Sequence, residues 1–334
     1  MTSGSVLRRC FHNPGRVTII STIRGKRPYY NKSPTTFKSE LFCPFCPGNE
    51  KYTPPATLAL HISTNGKYVF FSEKESGEIS TWVVRVFPNK YPALAPKLNI
   101  NLAYGYHEVL VETRIHNEEK YLKDPRNVYF ALKTLKERIK RILEDPKIKH
   151  VIVIKNKGVR AGASITHPHL QIFANTFIPP EIGNEIFGFK RFFEENSECP
   201  LCYLLSTYRE LIYYSNESFA SLIAYAPRVP YETYIVPFKH TFSFLNISDN
   251  EMYDLSTTLS RTLLTLKKVL GDFDYNLWFH TIYDSSLSFY HWHIEILPLT
   301  TTWGGYEKGA GVYIVDKFPE NVASELRNAI SEEK

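Results

Sequence analysis

Two cysteine pairs, each followed by histidines in the same order, constrain the fold of this 334-residue chain more than any other feature. The first half contains Cys43-Pro-Phe-Cys46, then His107, and then His167-Pro-His169-Leu-Gln171. The second half contains Cys199-Pro-Leu-Cys202, then His240, and then His291-Trp-His293-Ile-Glu295. Because this order of chemically active residues occurs twice, the sequence predicts a duplicated structural unit.

A predicted helix before each His-x-His segment strengthens the case for duplication. Asp124 and Pro125 are typical of a helix cap and a first helical turn, while Ser248 and Glu251 form a capping-box pattern that Gly271 terminates. Apolar residues follow both caps at helical spacing: Val128, Leu132, Leu135, Ile139 and Ile142 in the first half, and Met252, Leu255, Leu259, Leu263, Leu266 and Leu270 in the second. Each half is therefore predicted to contain a helix, a strand, a turn and a second strand. A short helix around 182–193 is expected in the link between the halves.

The two cysteine pairs predict metal sites. A two-residue spacer lets both sulfurs face one tetrahedral ion, and each pair then needs two further ligands. Thiol exchange is the competing interpretation, but the histidines that follow each pair favour metal binding. The histidines outside this pattern are interpreted as surface or hydrogen-bonded core residues: His12, His61, His116, His150 and His280.

The strand predicted over 167–174 carries the residues best suited to catalysis. Alternation places His167, His169 and Gln171 on one face, where His167 is expected to bind the metal and to stiffen the strand beneath His169. A neutral imidazole can attack phosphorus and then leave, and a glutamine amide can donate a hydrogen bond to a phosphate oxygen. In the second half Glu295 replaces the glutamine, and its charge would repel a diphosphate. Covalent chemistry is therefore expected in the first half.

Composition excludes several classes of protein. With 43% hydrophobic and 22% charged residues, the chain is neither disordered nor disulfide-dense, and no apolar run is long enough for a membrane helix. We recognise no signal peptide, so a cytoplasmic enzyme is expected.

The net charge of +6 is spread along the chain, which argues against the alternative of a zinc-knuckle nucleic-acid-binding module. Only two methionines and one glutamine, Gln171, are present, a depletion that suggests a thermophile.

Taken together, these motifs resemble the galactose-1-phosphate uridylyltransferase family of the histidine-triad superfamily. The resemblance rests on the first cysteine pair, Asn156-Lys-Gly, Ser164, the His-Pro-His-Leu-Gln string and His291-Trp-His293. It implies an α+β fold in which duplicated histidine-triad-like units form an antiparallel sheet with helices packed against it. The implied division places the nucleophile and one zinc site in residues 1–185 and the second metal site in residues 186–334.

The resemblance implies a ping-pong reaction in which His169 attacks the α-phosphorus of UDP-glucose and the uridylyl group then passes to galactose 1-phosphate. Gln171 would bind the α-phosphate. The remaining substrate-binding residues implied by the resemblance are Arg24, Arg27, Phe45, Asn89, Asn156, Gly162, Ser164, Tyr306 and Glu307. Family members are typically homodimers with shared active sites, which sets the same expectation here.

The resemblance also implies two zinc sites, although the second could hold iron. The implied ligands are Cys43, Cys46, His107 and His167 for the first ion and Cys199, Cys202, His240 and His291 for the second. Some relatives instead use a glutamate and three histidines, which here would be Glu185, His280, His291 and His293. We favour the thiolate set, because soft sulfur ligands outcompete carboxylate for zinc.

Two departures from the family pattern concern the sugar. A glutamine that many members use on the hexose is missing, and Thr301 and Thr302 stand where some members carry a lysine before Tyr306-Glu307. A related branch with both cysteine pairs transfers adenylyl groups between ADP-glucose and phosphate, and this is the alternative enzyme. Hydrolysis of nucleotide-amine bonds, as in smaller histidine-triad enzymes, is a third interpretation that also uses His169.

Overall fold

The computed structural model describes residues 5–26, 42–73, 81–97 and 103–332. Within these ranges the α-helices are α1 (Glu118–Leu122), α2 (Pro125–Ile142), α3 (Pro180–Asn196), α4 (Pro200–Thr207), α5 (Asp249–Leu270), α6 (Gly305–Ala310) and α7 (Pro319–Ser331).

Most of the strands join one large sheet. The first-half strands are β1 (Val6–Arg9), β2 (Val17–Ile20), β3 (Leu58–Ile62), β4 (Tyr68–Phe71), β5 (Trp82–Pro88), β6 (Leu94–Ala95), β7 (Ala103–Val111), β8 (His150–Lys157) and β9 (His169–Asn175). The second-half strands are β10 (Ile212–Ser215), β11 (Phe219–Ile223), β12 (Thr233–Pro237), β13 (Tyr275–His280), β14 (His293–Pro298) and β15 (Val312–Val315).

The order of strands in the large sheet confirms the predicted duplication. The order is β10-β11-β12-β14-β13-β8-β9-β7-β5-β3-β4, with β6 pairing beside β7. Strands β8 and β13 pair antiparallel at the centre, and each pairs on its other side with the strand that carries a His-x-His motif. A helix precedes each central strand, α2 before β8 and α5 before β13. The observed fold is the predicted α+β arrangement of an antiparallel sheet with helices packed on it.

Both long helices begin where their caps predict, and α5 also ends at its predicted glycine. The Asp124 side chain accepts the backbone N–H of Arg126 at the start of α2, and Pro125 occupies the first turn. Ser248 and Glu251 form the predicted capping box at the start of α5, and Gly271 follows its last residue. Local capping chemistry therefore sets these boundaries.

The two faces of the large sheet have different roles. Leu170 and Ile172 of β9 and Ile294 of β14 are fully or almost fully buried in the main core with the apolar residues of α2 and α5. Because side chains alternate along a strand, His169, Gln171 and His293 project from the opposite face. The core thus supports the sheet from one side and leaves the other for polar chemistry.

A small sheet, β1-β2-β15, brings the N-terminal segment against the second half of the chain. Helix α3 connects the halves, and the predicted division between residues 185 and 186 falls inside it; that division stays a prediction. No helix in the described ranges is both long and apolar enough to cross a bilayer.

Candidate active site and metal clusters

One row of paired residues crosses the polar face of the sheet from β9 to β14. Residues paired across antiparallel strands project to the same side. Gln171 of β9 pairs with Ile154 of β8, which in turn pairs with Trp278 of β13. Trp278 pairs with Glu295 of β14. The duplicated motifs of the two halves therefore lie on one surface, separated by the two central strands.

His169 has the geometry of a nucleophile with a fixed tautomer. Its Nδ1–H donates to the backbone carbonyl of His167 at 2.8 Å, which leaves the lone pair on Nε2. The side chain is 7% exposed, and burial lowers the pKa of His169 to about 4. The ring is therefore neutral and nucleophilic at physiological pH.

The aromatic ring of Phe45 forms one wall beside the nucleophile. Its centroid lies 5.3 Å from that of His169 in an edge-on arrangement and 5.7 Å from that of Phe87. Phe45 follows Cys43 in the loop of the first cysteine pair, so the metal-site loop and the wall of the active site are the same segment. An apolar wall of this kind suits the base or sugar of a nucleotide.

The first cysteine pair meets two histidines in a compact cluster. Cys46 Sγ lies 3.3 Å from His116 Nδ1 and 3.6 Å from His167 Nδ1, and Cys43 Sγ lies 3.8 Å from His167 Nδ1. All four ligand atoms lie within 4.8 Å of one another. His167 donates its Nε2–H to the Thr113 carbonyl, which turns Nδ1 towards the sulfurs.

The chemistry of this cluster fits a zinc ion. Two thiols and two imidazole nitrogens form the donor set that zinc prefers in tetrahedral sites. Burial raises the pKa of the Cys43 thiol to about 11, so its thiolate requires a compensating positive charge. A divalent cation held by these four residues would supply that charge.

The cluster corrects the predicted ligand set, because His116 stands in it instead of His107. His107 lies on β7 and its ring contacts Gln171 and the Ala93 backbone. Spacing in the sequence contains the signal that distinguishes the two histidines. His116 precedes His167 by 51 residues and His240 precedes His291 by the same number, whereas His107 does not match this interval.

The second cysteine pair meets the two histidines implied by the resemblance. Cys202 Sγ lies 3.6 Å from both His240 Nδ1 and His291 Nδ1, and Cys199 Sγ lies 3.5 Å from His291 Nδ1. These ligand atoms also lie within 4.8 Å of one another. His240 donates Nε2–H to the Ser288 carbonyl, as His167 does to Thr113 in the first cluster. The two clusters thus have the same donor set and a similar backbone anchor.

A third polar cluster combines residues from both halves around His293 and contains most of the alternative ligand set. His12, Glu185, His293 and Glu295 bring their polar atoms within 4.8 Å of one another. His280 joins them, with its Nδ1 2.9 Å from both oxygens of Glu185.

This third cluster is already neutralised by basic side chains. Arg16 lies 2.5 Å from Glu295 and 3.2 Å from Glu185, and Arg228 lies 2.6 Å from Glu295. Although burial acts in the opposite direction, His280 and Arg16 lower the pKa of Glu185 to about 2. Since two guanidinium groups occupy the surroundings of these carboxylates, the cluster fits a divalent metal poorly. The thiolate set is the better candidate for the second ion.

The second half contains a histidine with the same backbone geometry as His169 but no access to a ligand. His293 Nδ1 lies 3.0 Å from the His291 carbonyl, and its side chain is fully buried. Its Nε2 has no hydrogen-bond partner among the described residues and lies 3.7 Å from Glu295. The carboxylate and the enclosure agree with the expectation that only the first half performs covalent chemistry.

A glycine-containing loop comes directly after β8 and borders the polar face of the sheet. Gly158 has φ of +89°, and a Cβ at this position would lie 1.9 Å from Asp274 Oδ1. The same Asp274 accepts the backbone N–H of Arg160, which fixes the turn. Asn156 accepts a hydrogen bond from Asn276 at 2.8 Å, while Ser164 is exposed in the same loop. The fixed turn explains the glycine at 158.

The remaining predicted substrate residues lie in separate segments of the chain. Gly162 has φ of +85° at the end of the short turn after Gly158. Arg24 is exposed in the 3₁₀ helix Thr22–Lys26, and Arg27 lies outside the described residues. Tyr306 is exposed on α6, and Glu307 caps that helix by accepting the Gly304 N–H.

A cavity of about 750 Å³ opens on the same face of the sheet, on the side of the second half. Arg160 of the glycine loop lies at one side, and Trp303 and Lys308 of the C-terminal segment lie at another. Asn276 and Trp278 of β13 line it from the sheet. The cavity therefore continues the polar face from the glycine loop towards α6.

Comparison with known proteins gives matches to one family over most of the chain. Residues 7–179 match the family model described as galactose-1-phosphate uridyl transferase, N-terminal domain. ADP-glucose phosphorylase from Arabidopsis thaliana is 31% identical over 331 residues, which cover 93% of this chain and 90% of that protein. Galactose-1-phosphate uridylyltransferase from Thermotoga maritima is 28% identical and covers 72% of this chain and 83% of its own length.

Solved structures agree with these matches. The crystal structure of the Arabidopsis thaliana ADP-glucose phosphorylase with bound ADP-glucose has a TM-score of 0.82 and 30% identity, covering 97% of this chain and 98% of that one. A uridylyltransferase structure has a TM-score of 0.73 at 24% identity, covers 90% of this chain and 94% of that one, and shows a shared fold. Fold and relatives define the class of protein as a nucleotidyltransferase. The chain belongs to the galactose-1-phosphate uridyl transferase family.

Proposed function

We propose that the protein transfers a nucleoside monophosphate group through a covalent intermediate on His169, with ADP-glucose as donor and inorganic phosphate as acceptor. Nε2 of His169 forms a bond to the α-phosphorus while the bond from that phosphorus to the β-phosphate bridging oxygen breaks and glucose 1-phosphate leaves. A phosphate oxygen then attacks the same phosphorus, the nitrogen–phosphorus bond breaks, and ADP is released. The imidazole returns to its neutral form.

The observation that carries this proposal is the fixed tautomer of His169. Its Nδ1–H is held by the His167 carbonyl at 2.8 Å, so the attacking lone pair is on Nε2. Gln171 projects from the same face of β9 and offers an uncharged donor for a non-bridging α-phosphate oxygen. Phe45 beside the ring supplies an apolar surface for the nucleoside.

Two observations favour ADP-glucose and phosphate over UDP-glucose and galactose 1-phosphate. The Arabidopsis thaliana relative that acts on ADP-glucose matches 93% of the chain, compared with 72% for the Thermotoga maritima uridylyltransferase. The chain also lacks the glutamine that many family members use on the hexose and the lysine that some of them carry before Tyr306-Glu307. Uridylyl transfer to galactose 1-phosphate is the second candidate, supported by the family model and the shared fold.

As part of the same proposal, two zinc ions stiffen the protein and take no part in bond making. Cys43, Cys46, His116 and His167 would hold the first, and Cys199, Cys202, His240 and His291 the second. A bound ion supplies positive charge that stabilises the thiolates and fixes the histidine rings. His167 lies two residues before His169. A metal-bound His167 would therefore restrain the backbone that orients the nucleophile.

The proposal further includes a homodimer with shared active sites, as the family resemblance implies. Arg24 and Tyr306 are both exposed in the single chain, which leaves them accessible to a second copy. Mixing a His169→Gln protein with a Tyr306→Ala protein tests this arrangement. If the sites are shared, the mixture regains activity that neither variant has alone. A strictly additive mixture would exclude sharing.

Product analysis decides between the candidate reactions. The purified protein is incubated with ADP-glucose and phosphate, and separately with UDP-glucose and galactose 1-phosphate. The proposal expects ADP and glucose 1-phosphate from the first mixture, at a rate well above any turnover in the second. Faster formation of UDP-galactose would favour the second candidate. Release of free AMP or UMP without transfer would favour a hydrolase and contradict the proposal.

A further inference from the structure

Gln171 requires a defined orientation to serve the proposed reaction. The two ends of a glutamine amide have almost the same shape, but one donates hydrogen bonds and the other accepts them. Only the nitrogen end can stabilise a phosphate oxygen, while the oxygen end would repel it. A neighbouring group must therefore determine which end of the amide faces the substrate.

The ring of His107 contacts this amide and is held in a fixed position. His107 is 8% exposed and stacks on Phe173, with ring centroids 4.0 Å apart and planes inclined by 20°. His107 on β7 pairs with Phe173 on β9. The next pair on the same face of these two strands is Val109 with Gln171. The stack prevents the ring from swinging out of the site.

A backbone amide determines the tautomer of His107. The N–H of Ala93 points to His107 Nδ1 at 3.1 Å, so this nitrogen must be an acceptor without a proton. Burial lowers the pKa of His107, which favours the neutral ring. The single ring proton is therefore on Nε2.

The Nε2 proton in turn selects the orientation of Gln171. Nε2 lies 2.9 Å from Gln171 Oε1 and 3.1 Å from Asn89 Nδ2. The Asn89 amide presents nitrogen at this point because its Oδ1 accepts the Tyr91 N–H at 2.8 Å. Of the two neighbours only Gln171 Oε1 is an acceptor, so it receives the proton. The amide nitrogen of Gln171 then points away from His107 and has no partner within the described part of the chain.

We propose that His107 is a positioning residue, which uses the chain of hydrogen bonds from Ala93 through its own ring to hold the Gln171 amide with its N–H groups towards the nucleotide phosphate. The inference rests on the proposed function, since it assigns the phosphate as the group that Gln171 meets. It gives His107 a role other than metal binding. If the Gln171 amide flipped in the absence of His107, its oxygen would face the nucleotide phosphate.

A double-mutant cycle tests the coupling between the two residues. His107→Phe keeps an aromatic ring on Phe173 but removes the Nε2–H, and it should lower kcat for nucleotidyl transfer by about 10- to 100-fold. In a Gln171→Met background the same change should have almost no further effect on kcat. His61→Phe, a ring change on β3, is the matched control and should retain the wild-type kcat. Independent, multiplying losses from His107→Phe and Gln171→Met would overturn the proposal.

A spectroscopic measurement tests the inference without relying on turnover. Nitrogen-15 spectra of histidine-labelled wild-type protein report which ring nitrogen carries the proton, and comparison with His107→Phe identifies the resonances. We expect the Nε2–H tautomer for His107 at neutral pH, with a changed Nε2–H signal in Gln171→Met. An Nδ1–H tautomer or a doubly protonated ring would overturn the proposal even if the enzyme is active. A wild-type protein that turns over neither donor would refute the proposed function, while the spectra still decide the orientation.

Discussion

The ring of His169 donates its Nδ1–H to the backbone carbonyl of His167, and the ring of His167 faces the first cysteine pair. The candidate nucleophile is therefore oriented by the main chain of a candidate metal ligand. His167 itself is anchored by the Thr113 carbonyl through its other nitrogen. A candidate metal ligand and the candidate nucleophile thus lie two residues apart where β9 begins, and under the proposed function a metal at the first would stiffen the backbone that orients the second.

The first prediction concerns the identity of the first-site ligands. Replacing His116 with phenylalanine removes one of the four donors, and we expect zinc affinity at that site to fall by more than about 100-fold, the upper range for loss of an outer partner. His107→Phe should retain its zinc, because His107 contacts Gln171 and not the sulfurs. Metal analysis after dialysis against a chelator distinguishes the variants. Zinc loss from His107→Phe but not from His116→Phe would restore the ligand set implied by the resemblance.

The second prediction separates the two ligand sets in the second half. Cys202→Ser should leave one zinc per chain, because it removes a thiolate from the cluster with His240 and His291. Glu185→Gln should leave both ions in place, since Arg16 and His280 already surround this carboxylate. Zinc stoichiometry of the two purified variants is the measurement. A loss of metal from Glu185→Gln with none from Cys202→Ser would show that the carboxylate set is used.

The third prediction concerns the loop after β8. Gly158→Ala places a Cβ where φ is +89° and where Asp274 Oδ1 is only 1.9 Å away, so the loop must rearrange. We expect a cost of about 2 kcal/mol or more in the free energy of unfolding, together with a loss of transfer activity. Gly183→Ala in α3 meets nothing within 4 Å and serves as the control, with stability equal to or above that of the wild type. Equal stability of Gly158→Ala and the wild type would refute the assigned strain.

The fourth prediction is a pH dependence of stability due to His150, a buried histidine at the start of β8 that belongs to neither cysteine cluster. Burial lowers its pKa from 6.5 to about 4, and its Nε2–H donates to the Thr281 carbonyl. The unfolded chain therefore binds a proton first as the pH falls, and stability decreases between about pH 6.5 and pH 4. The contribution of this group is about 2–3 kcal/mol across that window.

Denaturant unfolding of the wild type and of His150→Phe at pH 7 and pH 5 measures the contribution of His150 to the free energy of unfolding. The variant is expected to lose some stability at pH 7, because the Thr281 carbonyl loses its donor, but to lose less on acidification than the wild type. The difference between the two proteins cancels the contributions of other histidines. An identical acid-induced loss in both would contradict the assignment of this titration to His150.

The elements with local signals were predictable from the sequence, and the contacts between distant segments were not. The caps at Asp124 and Ser248 set helix boundaries because capping depends on neighbouring residues. The duplicated order of cysteines and histidines predicted the second thiolate cluster because each motif is short and chemically specific. By contrast, Arg16 reaches Glu295 across 279 residues, and no periodicity in the sequence indicates that pairing.

The assignment of His107 shows where motif order is insufficient. Four histidines lie between the first cysteine pair and His167, namely His61, His107, His116 and His150, and order alone does not separate His107 from His116. The three-dimensional structure separates them, because β7 ends at Val111 and the chain then turns towards the cysteines before it reaches His116. The matched interval of 51 residues in the two halves was the available signal, and it reflects equivalent positions in the duplicated units.

The most direct test of covalent catalysis is the intact mass of the protein after brief exposure to ADP-glucose in the absence of phosphate. We predict one added adenylyl group per chain, located by peptide mapping on His169 and not on His293, which is fully buried. The adduct should disappear on addition of phosphate as ADP forms. His169→Gln should keep its zinc and its fold but gain no mass. A protein that converts ADP-glucose and phosphate to products without any adduct, or with an adduct on another residue, would contradict the central claim.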